Sequence, residues 1–221
     1  RSAAVQALGK LGGEESATAL LGLLDKSVYP QDREILKQLL ESLGRIGLPR
    51  VVPPLARVLR DRAIEDGMRV AAATALSSCG GGEPGQVLLG WLAERRFEKN
   101  SVLTVAVLRG LKRLRCREAV PVIAGDLLAD PDPEVRWYAA DSLGEIGCAE
   151  VLDSLLAILK QEPSSRVREA VISAWERLDP AALAPERRQE LAGELLRVLH
   201  SDADVLVRKS AARALGRLGR D

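Results

Sequence analysis

The stretch "DPDPEVRWYAADSLGEIG" (residues 130–147) specifies one helix with both of its ends, and it recurs as "DADVLVRKSAARALGRLG" at residues 202–219. Anchoring on Leu143 of "SLGEIG" locates equivalents at Leu8, Leu43, Leu76, Leu111, Trp175 and Leu215, with successive spacings of 35, 33, 35, 32, 32 and 40 residues. Self-similarity at that period restricts the chain to a stacked repeat architecture, because a unit of roughly 30–40 residues cannot bury its apolar face alone.

Each period divides into two helical stretches. In helix B of the best copy, Asp132 is placed to cap the N-terminus and Pro133 takes the first helical position, where its missing N–H costs nothing. Val135, Ala139, Leu143 and Ile146 follow on one apolar face. Gly147 ends the helix, as Gly12, Gly47, Gly80 and Gly219 do in their units, because glycine accepts the left-handed conformation of a helix C-terminus. Arg115 and Asp179 stand at that position in two units, so those ends are expected to terminate differently. Helix A is the shorter partner, seen in "LPRVVPPLARVLRD" (48–61) and "REAVPVIAGDLLAD" (117–130), with Pro53 and Pro121 near its start. No strand pattern competes. The expectation is an all-α fold, an α-solenoid. It is a superhelical stack of about six helix pairs with a partial first repeat, forming one domain over residues 1–221 whose repeats end near 12, 47, 80, 115, 147, 179 and 219.

Composition narrows the class of partner. The 221 residues are 47% hydrophobic but only 3% aromatic, so the core is expected to be aliphatic. Thirty-two basic against 31 acidic residues give a net charge of +1, which offers no global attraction to nucleic acid or anionic membrane. No apolar run reaches the ~18 residues of a membrane span, and no signal peptide opens the chain. Three cysteines at irregular spacing make neither a disulfide framework nor a zinc site, and a reducing cytoplasm is the simplest compartment. The chain opens on Arg1 within a helical pattern, which reads as a piece of a longer protein.

The stretch at 130–147 resembles the signature of HEAT repeats, in particular the short bacterial type named after phycobilisome lyases, Asp-x-x-x-Val-Arg-x-x-Ala-Ala-x-Ala-Leu-Gly-x-Ile-Gly. The resemblance extends over essentially the whole chain. It implies the solenoid fold and leaves activity open, since the family includes scaffolds, lyases and regulatory arms.

Several features read as structural. Seven residues before their anchors lie Arg1, Arg69, Arg136, Arg168 and Arg208, with Leu36 and Thr104 interrupting the series. Asp130, Glu162 and Asp202 stand six residues before three of these arginines. The resemblance implies an Arg–carboxylate ladder tying helix B to the preceding turn, and exposed pairs of this kind contribute only ~0.2–1 kcal/mol each. The gaps at Leu36 and Thr104 predict less regular stacking there. Cys116 and Cys148 occupy equivalent places and read as plain thiols, while Cys79 replaces a core Ile. His200 is the only histidine, near the negative end of a helix A. A single histidine excludes a di-iron site built from repeated His-Glu pairs, and with it the hydroxylase branch of HEAT proteins. "CGGGEPG" (79–85) lacks the Gly-Lys-Ser/Thr ending of a phosphate loop. No catalytic constellation is visible and no cofactor is implied, so the chain reads as a non-enzyme.

In HEAT-type solenoids helix B lines the concave face, and the unspecified positions point outward there: six, five and two before the anchor, and two after. These are Trp137, Tyr138, Asp141 and Glu145; Val105, Ala106, Arg109 and Arg113; Glu169, Ala170, Ser173 and Arg177; and Lys209, Ser210, Arg213 and Arg217. Trp137 and Tyr138 are two adjacent aromatics among only six, and Trp, Tyr and Arg dominate interface hot spots. The candidate partner site is therefore Trp137 and Tyr138 flanked by Arg109, Arg113, Asp141, Glu145, Ser173 and Arg177. Mixed charge around aromatics suits a protein or peptide. Lys209, Arg213 and Arg217, with Arg220 following, form a basic stripe for an anion or nucleic acid. "DPAALAPERRQE" (179–190) lengthens the last connection through Pro180 and Pro185. The expected function is a rigid, non-catalytic scaffold or sensor arm that holds a protein or peptide in its concave groove. The alternatives are a nucleic-acid-binding domain like the HEAT-fold alkylpurine glycosylases, and a bilin-lyase-like enzyme or chaperone subunit.

Overall fold

The computed structural model describes residues 2–26, 33–95, 100–147, 151–178, 181 and 183–219, and every regular element among them is helical. Arg1, Cys148, Asp179, Pro180 and Arg220 lie outside the described residues. The chain divides into two compact units, Arg1–Cys116 and Arg117–Asp221. The first contains α1 (Ser2–Leu11), α2 (Gly13–Lys26), α3 (Arg33–Ile46), α4 (Val52–Arg60), α5 (Asp66–Ser78), α6 (Gly82–Glu94) and α7 (Ser101–Arg113). The second contains α8 (Val120–Val122), α9 (Pro133–Ile146), α10 (Leu152–Leu159), α11 (Ser165–Glu176), α12 (Pro185–Ser201) and α13 (Val205–Leu218). Within the first unit the B helices α1, α3, α5 and α7 pack in series, each on the next; within the second, α9, α11 and α13 do the same. Each unit is thus a short α-solenoid with contacts between neighbours. No described helix is long and apolar enough to cross a membrane.

The sequence reading of α9 holds in detail. Asp132 Oδ1 accepts from the Glu134 N–H at 2.9 Å, and Pro133 occupies the first position. Val135, Ala139, Leu143 and Ile146 are buried. Gly147 sits at φ 74° and donates to the Leu143 carbonyl at 3.1 Å. The interior anchors Leu43, Leu76, Leu111 and Leu143 are fully buried, each contributing about 1.5–3 kcal/mol relative to exposure. Cys79 takes the place expected of it in the core, and burial pushes its thiol up to about 11.

Two helix ends differ from expectation. Arg115 takes the left-handed conformation itself, at φ 49°. Its N–H donates to the Lys112 carbonyl and the Cys116 N–H to the Leu111 carbonyl, both at 3.1 Å. This is the Schellman pattern with arginine where glycine is usual, so that end closes like the others. Gly219, by contrast, lies at φ −95° and closes its helix by donating to Leu215 without a left-handed residue. The first helix A of the second unit is also broken rather than continuous. A 3₁₀ turn at Arg117–Ala119 leads into α8, and a π-turn follows at Ile123–Leu127, where the Leu128 N–H reaches the Ile123 carbonyl at 3.2 Å.

The glycine that follows Leu8, Leu43 and Leu143 has a different purpose, which periodicity does not reveal. A Cβ on Gly44 or Gly144 would lie 2.6 Å from the Cα of Ala75 or Ala174 in the next B helix, and one on Gly9 would lie 2.5 Å from Ser42 Oγ. Where Ser77 replaces this glycine in α5, the missing side chain moves across the contact to Gly110 of α7, whose Cβ would stand 3.3 Å from Ser77 Cβ. Close backbone approach therefore survives the change of sequence. The interruptions at Leu36 and Thr104 do not loosen the series either, because α1, α3, α5 and α7 stay packed throughout. Leu36 joins the core, and buried Thr104 donates its hydroxyl to the Asn100 carbonyl at 2.7 Å.

Candidate functional site

The arginines of helix B tie repeats together. Arg136 Nη1 donates to the Asp130 and Pro131 carbonyls of the turn before its own helix, at 2.7 and 3.1 Å. Its Nε and Nη2 make a two-pronged contact, 2.8 Å each, to the carboxylate of Glu162 in the following repeat. Arg168 repeats the arrangement, on the Glu162 and Pro163 carbonyls and on both oxygens of Asp202. The ladder thus runs forward from repeat to repeat, where a link back to the preceding turn's carboxylate was expected. It is also mostly buried, with side-chain exposures of 12% and 1% for Arg136 and Glu162. Each carboxylate holds its own turn as well, Glu162 accepting from the Ser164 N–H and Asp202 from the Asp204 N–H. Burial alone would raise the Glu162 and Asp202 carboxyls, but these hydrogen bonds and the adjacent guanidinium charges outweigh it and hold both below the usual range. In the first unit Arg69 is fully buried and donates from Nε to the Leu59 carbonyl at the end of α4, at 2.9 Å. These arginines are structural.

The solvent side of α9, α11 and α13 carries the candidate partner site of the second unit. Trp137 and Tyr138 are half-buried and meet edge to face, with ring centroids 4.6 Å apart. Arg166 of α11 lies over the Trp137 ring, 4.9 Å from its centroid, a cation–π contact on one face of the indole. Asp141 and Arg177 form an ion pair at 2.9 Å between α9 and α11. Glu145 and Ser173 are half-buried on the same two helices. Arg109 and Arg113 are exposed on α7 of the first unit. Arg166 was missed by the sequence reading because it lies nine residues before its anchor, outside the positions taken to face outward.

In four repeats the position five before the anchor proves to be buried, which corrects its assignment there as outward-facing. Ala71, Ala106, Ala170 and Ser210 are all buried there, while Tyr138 and Gln38 are large and half-exposed and Ala3 at the first repeat is exposed. A small residue lets the neighbouring B helix approach. Ser210 accordingly donates to Glu169 Oε1 of α11 at 3.4 Å. On the basic stripe, Lys209, Arg213 and Arg217 are exposed, but Arg213 leans onto α11, 3.5 Å from Glu176 Oε1 and 3.0 Å from Ser210 Oγ. His200 ends α12 on the surface, as its position suggested.

Comparison with known proteins bears on the repeat fold. The model of the family described as HEAT repeats matches residues 92–176, and that of the PBS lyase HEAT-like repeat matches residues 1–26 and 35–61. No curated protein sequence matches the chain. Among solved structures, the complex of CpcE and CpcF of phycocyanin lyase from Nostoc sp. PCC7120 is similar at 18% identity and a TM-score of 0.53, over 99% of this chain and 88% of that one. Human deoxyhypusine hydroxylase in complex with glycerol is similar at 17% identity and a TM-score of 0.42, over 98% and 89% of the two chains.

Proposed function

Since this is a chain of HEAT repeats, we propose that it is a non-catalytic binding arm which holds a protein or peptide partner on the solvent side of its B helices. The observation that carries the reading is the Trp137–Tyr138 pair, half-exposed and packed edge to face, with Arg166 over the Trp137 ring. An aromatic surface packed before binding loses little side-chain entropy when a partner covers it. The Asp141–Arg177 pair beside it supplies fixed polar contacts, which suits a protein surface better than a phosphate backbone. Glu145 and Ser173 belong to the same proposed surface of the second unit, Arg109 and Arg113 remain candidate contacts on the first unit taken by itself, and the natural setting proposed is the cytoplasm. The CpcE–CpcF structure is named as a complex of two proteins, the class of partner proposed here. Pairing of Arg213 with Glu176 removes part of the basic stripe and weighs against nucleic acid.

The test is retention of partners from native lysate by the wild type and by Trp137→Ala/Tyr138→Ala, with circular dichroism confirming equal helicity. A partner held by the wild type and lost by the double variant supports the arm. The same partner held equally by both removes the aromatic pair from the site.

A further inference from the structure

Arg166 is exposed in the first turn of α11, with its guanidinium 4.9 Å from the centroid of the Trp137 ring on α9. Among the described residues it makes no hydrogen bond and no ion pair. The other arginines of these two helices are spent. Arg136 and Arg168 grip Glu162 and Asp202, and Arg177, just past α11, pairs with Asp141. The ring attracts the Arg166 cation but supplies no acceptor, so its N–H donors stay free for an anion. Trp137 Nε1 and Tyr138 Oη likewise have no acceptor among the described residues, and neither atom is sealed from solvent. A guanidinium, an indole N–H and a phenol O–H are thus carried by side chains that contact one another in series, at ring distances of 4.9 and 4.6 Å. The first turn of α11 holds no acidic side chain, and the positive end of its dipole favours an anion there.

We propose that Arg166, Trp137 and Tyr138 form a receptor for one Asp or Glu side chain of a partner protein. Its carboxylate is held by the Arg166 fork, and an apolar neighbour in the partner's sequence covers the exposed parts of the two rings. Charge selects a carboxylate over a phosphate. Glu134, Glu145 and Glu169 stand on the same two helices, so a doubly charged group meets repulsion with a single unspent guanidinium to offset it, whereas one carboxylate is matched. The proposal rests on the binding-arm reading above and names the chemistry of its partner.

The probe is a library of random heptapeptides displayed on phage, selected in parallel on the wild type, Arg166→Gln and Trp137→Ala/Tyr138→Ala, with circular dichroism confirming equal helicity. The wild type is expected to enrich an Asp or Glu beside a large apolar residue. Arg166→Gln should lose the acidic preference and keep the apolar one, and the double variant should lose both. For the best wild-type peptide, exchanging its acid for the amide should weaken binding to the wild type about tenfold or more. The same exchange should change binding to Arg166→Gln by less than about twofold, because the two groups act as a pair. Peptides that need the aromatic rings but show no acidic preference overturn the carboxylate receptor and leave the arm standing. Peptides indifferent to both variants, or no peptides at all, remove the receptor and the aromatic patch together. Tighter binding of the same peptide with phosphoserine in place of its acid makes the occupant a phosphate and overturns the assignment.

Discussion

Gly144 and Gly216 occupy the same repeat position and should respond oppositely to the same substitution. Gly144→Ala drives a methyl into the Ala174 backbone, 2.6 Å away, and is expected to destabilise by about 1–3 kcal/mol in urea unfolding. Gly216→Ala meets open space and should be neutral or stabilising by up to about 1 kcal/mol, the helix-propensity difference. Loss of stability in both would show that flexibility, not approach, explains the glycine. At Arg115 the strain lies in the backbone, since φ 49° is unfavourable for a side chain with a Cβ. Arg115→Gly should therefore raise the unfolding free energy by about 1 kcal/mol, and a loss would mean that the arginine's own contacts outweigh its strain. Of these residues, the sequence marked Gly147 and the other C-terminal glycines, because turn chemistry is local. It gave no sign that the anchor glycine serves the next helix, since that cause lies some 30 residues away, in Ala75 or Ala174.

At the level of elements, the links between repeats are charged and titrate. Glu162 and Asp202 have folded-state values held below the unfolded ones. Their contribution is complete above the unfolded carboxylate value of about 4 and is lost as pH falls through the lower folded values. Acid unfolding monitored by circular dichroism should accordingly steepen below about pH 4, and Glu162→Gln should flatten that limb. At neutral pH the same substitution is expected to cost about 1.5–3 kcal/mol, because it weakens a charge-assisted pair. An unchanged acid limb would mean that the ladder contributes nothing. The helices, their caps and their apolar faces were legible in the sequence from the period and from Asp132, Pro133 and Gly147. The forward direction of the ladder was not, since spacing places Glu162 equally well to cap its own turn or to receive Arg136, and the fold uses it for both. The aromatic pair was legible by composition, but its neighbour Arg166 was not, because that contact depends on how α11 lies against α9.

For the molecule as a whole, contacts between neighbours make stability local within each unit. Gly144→Ala should speed amide exchange in α9 and α11 of the second unit while leaving α3 and α5 near their wild-type rates. Uniform acceleration throughout the chain would instead indicate a single cooperative block. The period itself was legible from end to end. The division after Cys116 leaves no mark on it, because spacings of 35 and 32 residues run through the boundary without a break. The forward ladder also bears on how such a chain can grow or shrink. Because Arg136 and Arg168 grip carboxylates at the same place in successive turns, excising one whole repeat returns an arginine to a matching acid. A deletion of any other length strands a cation on one side of the scar and an anion on the other. The repeats are interchangeable parts with a polarity, and the gene encoding them can be recombined only in register.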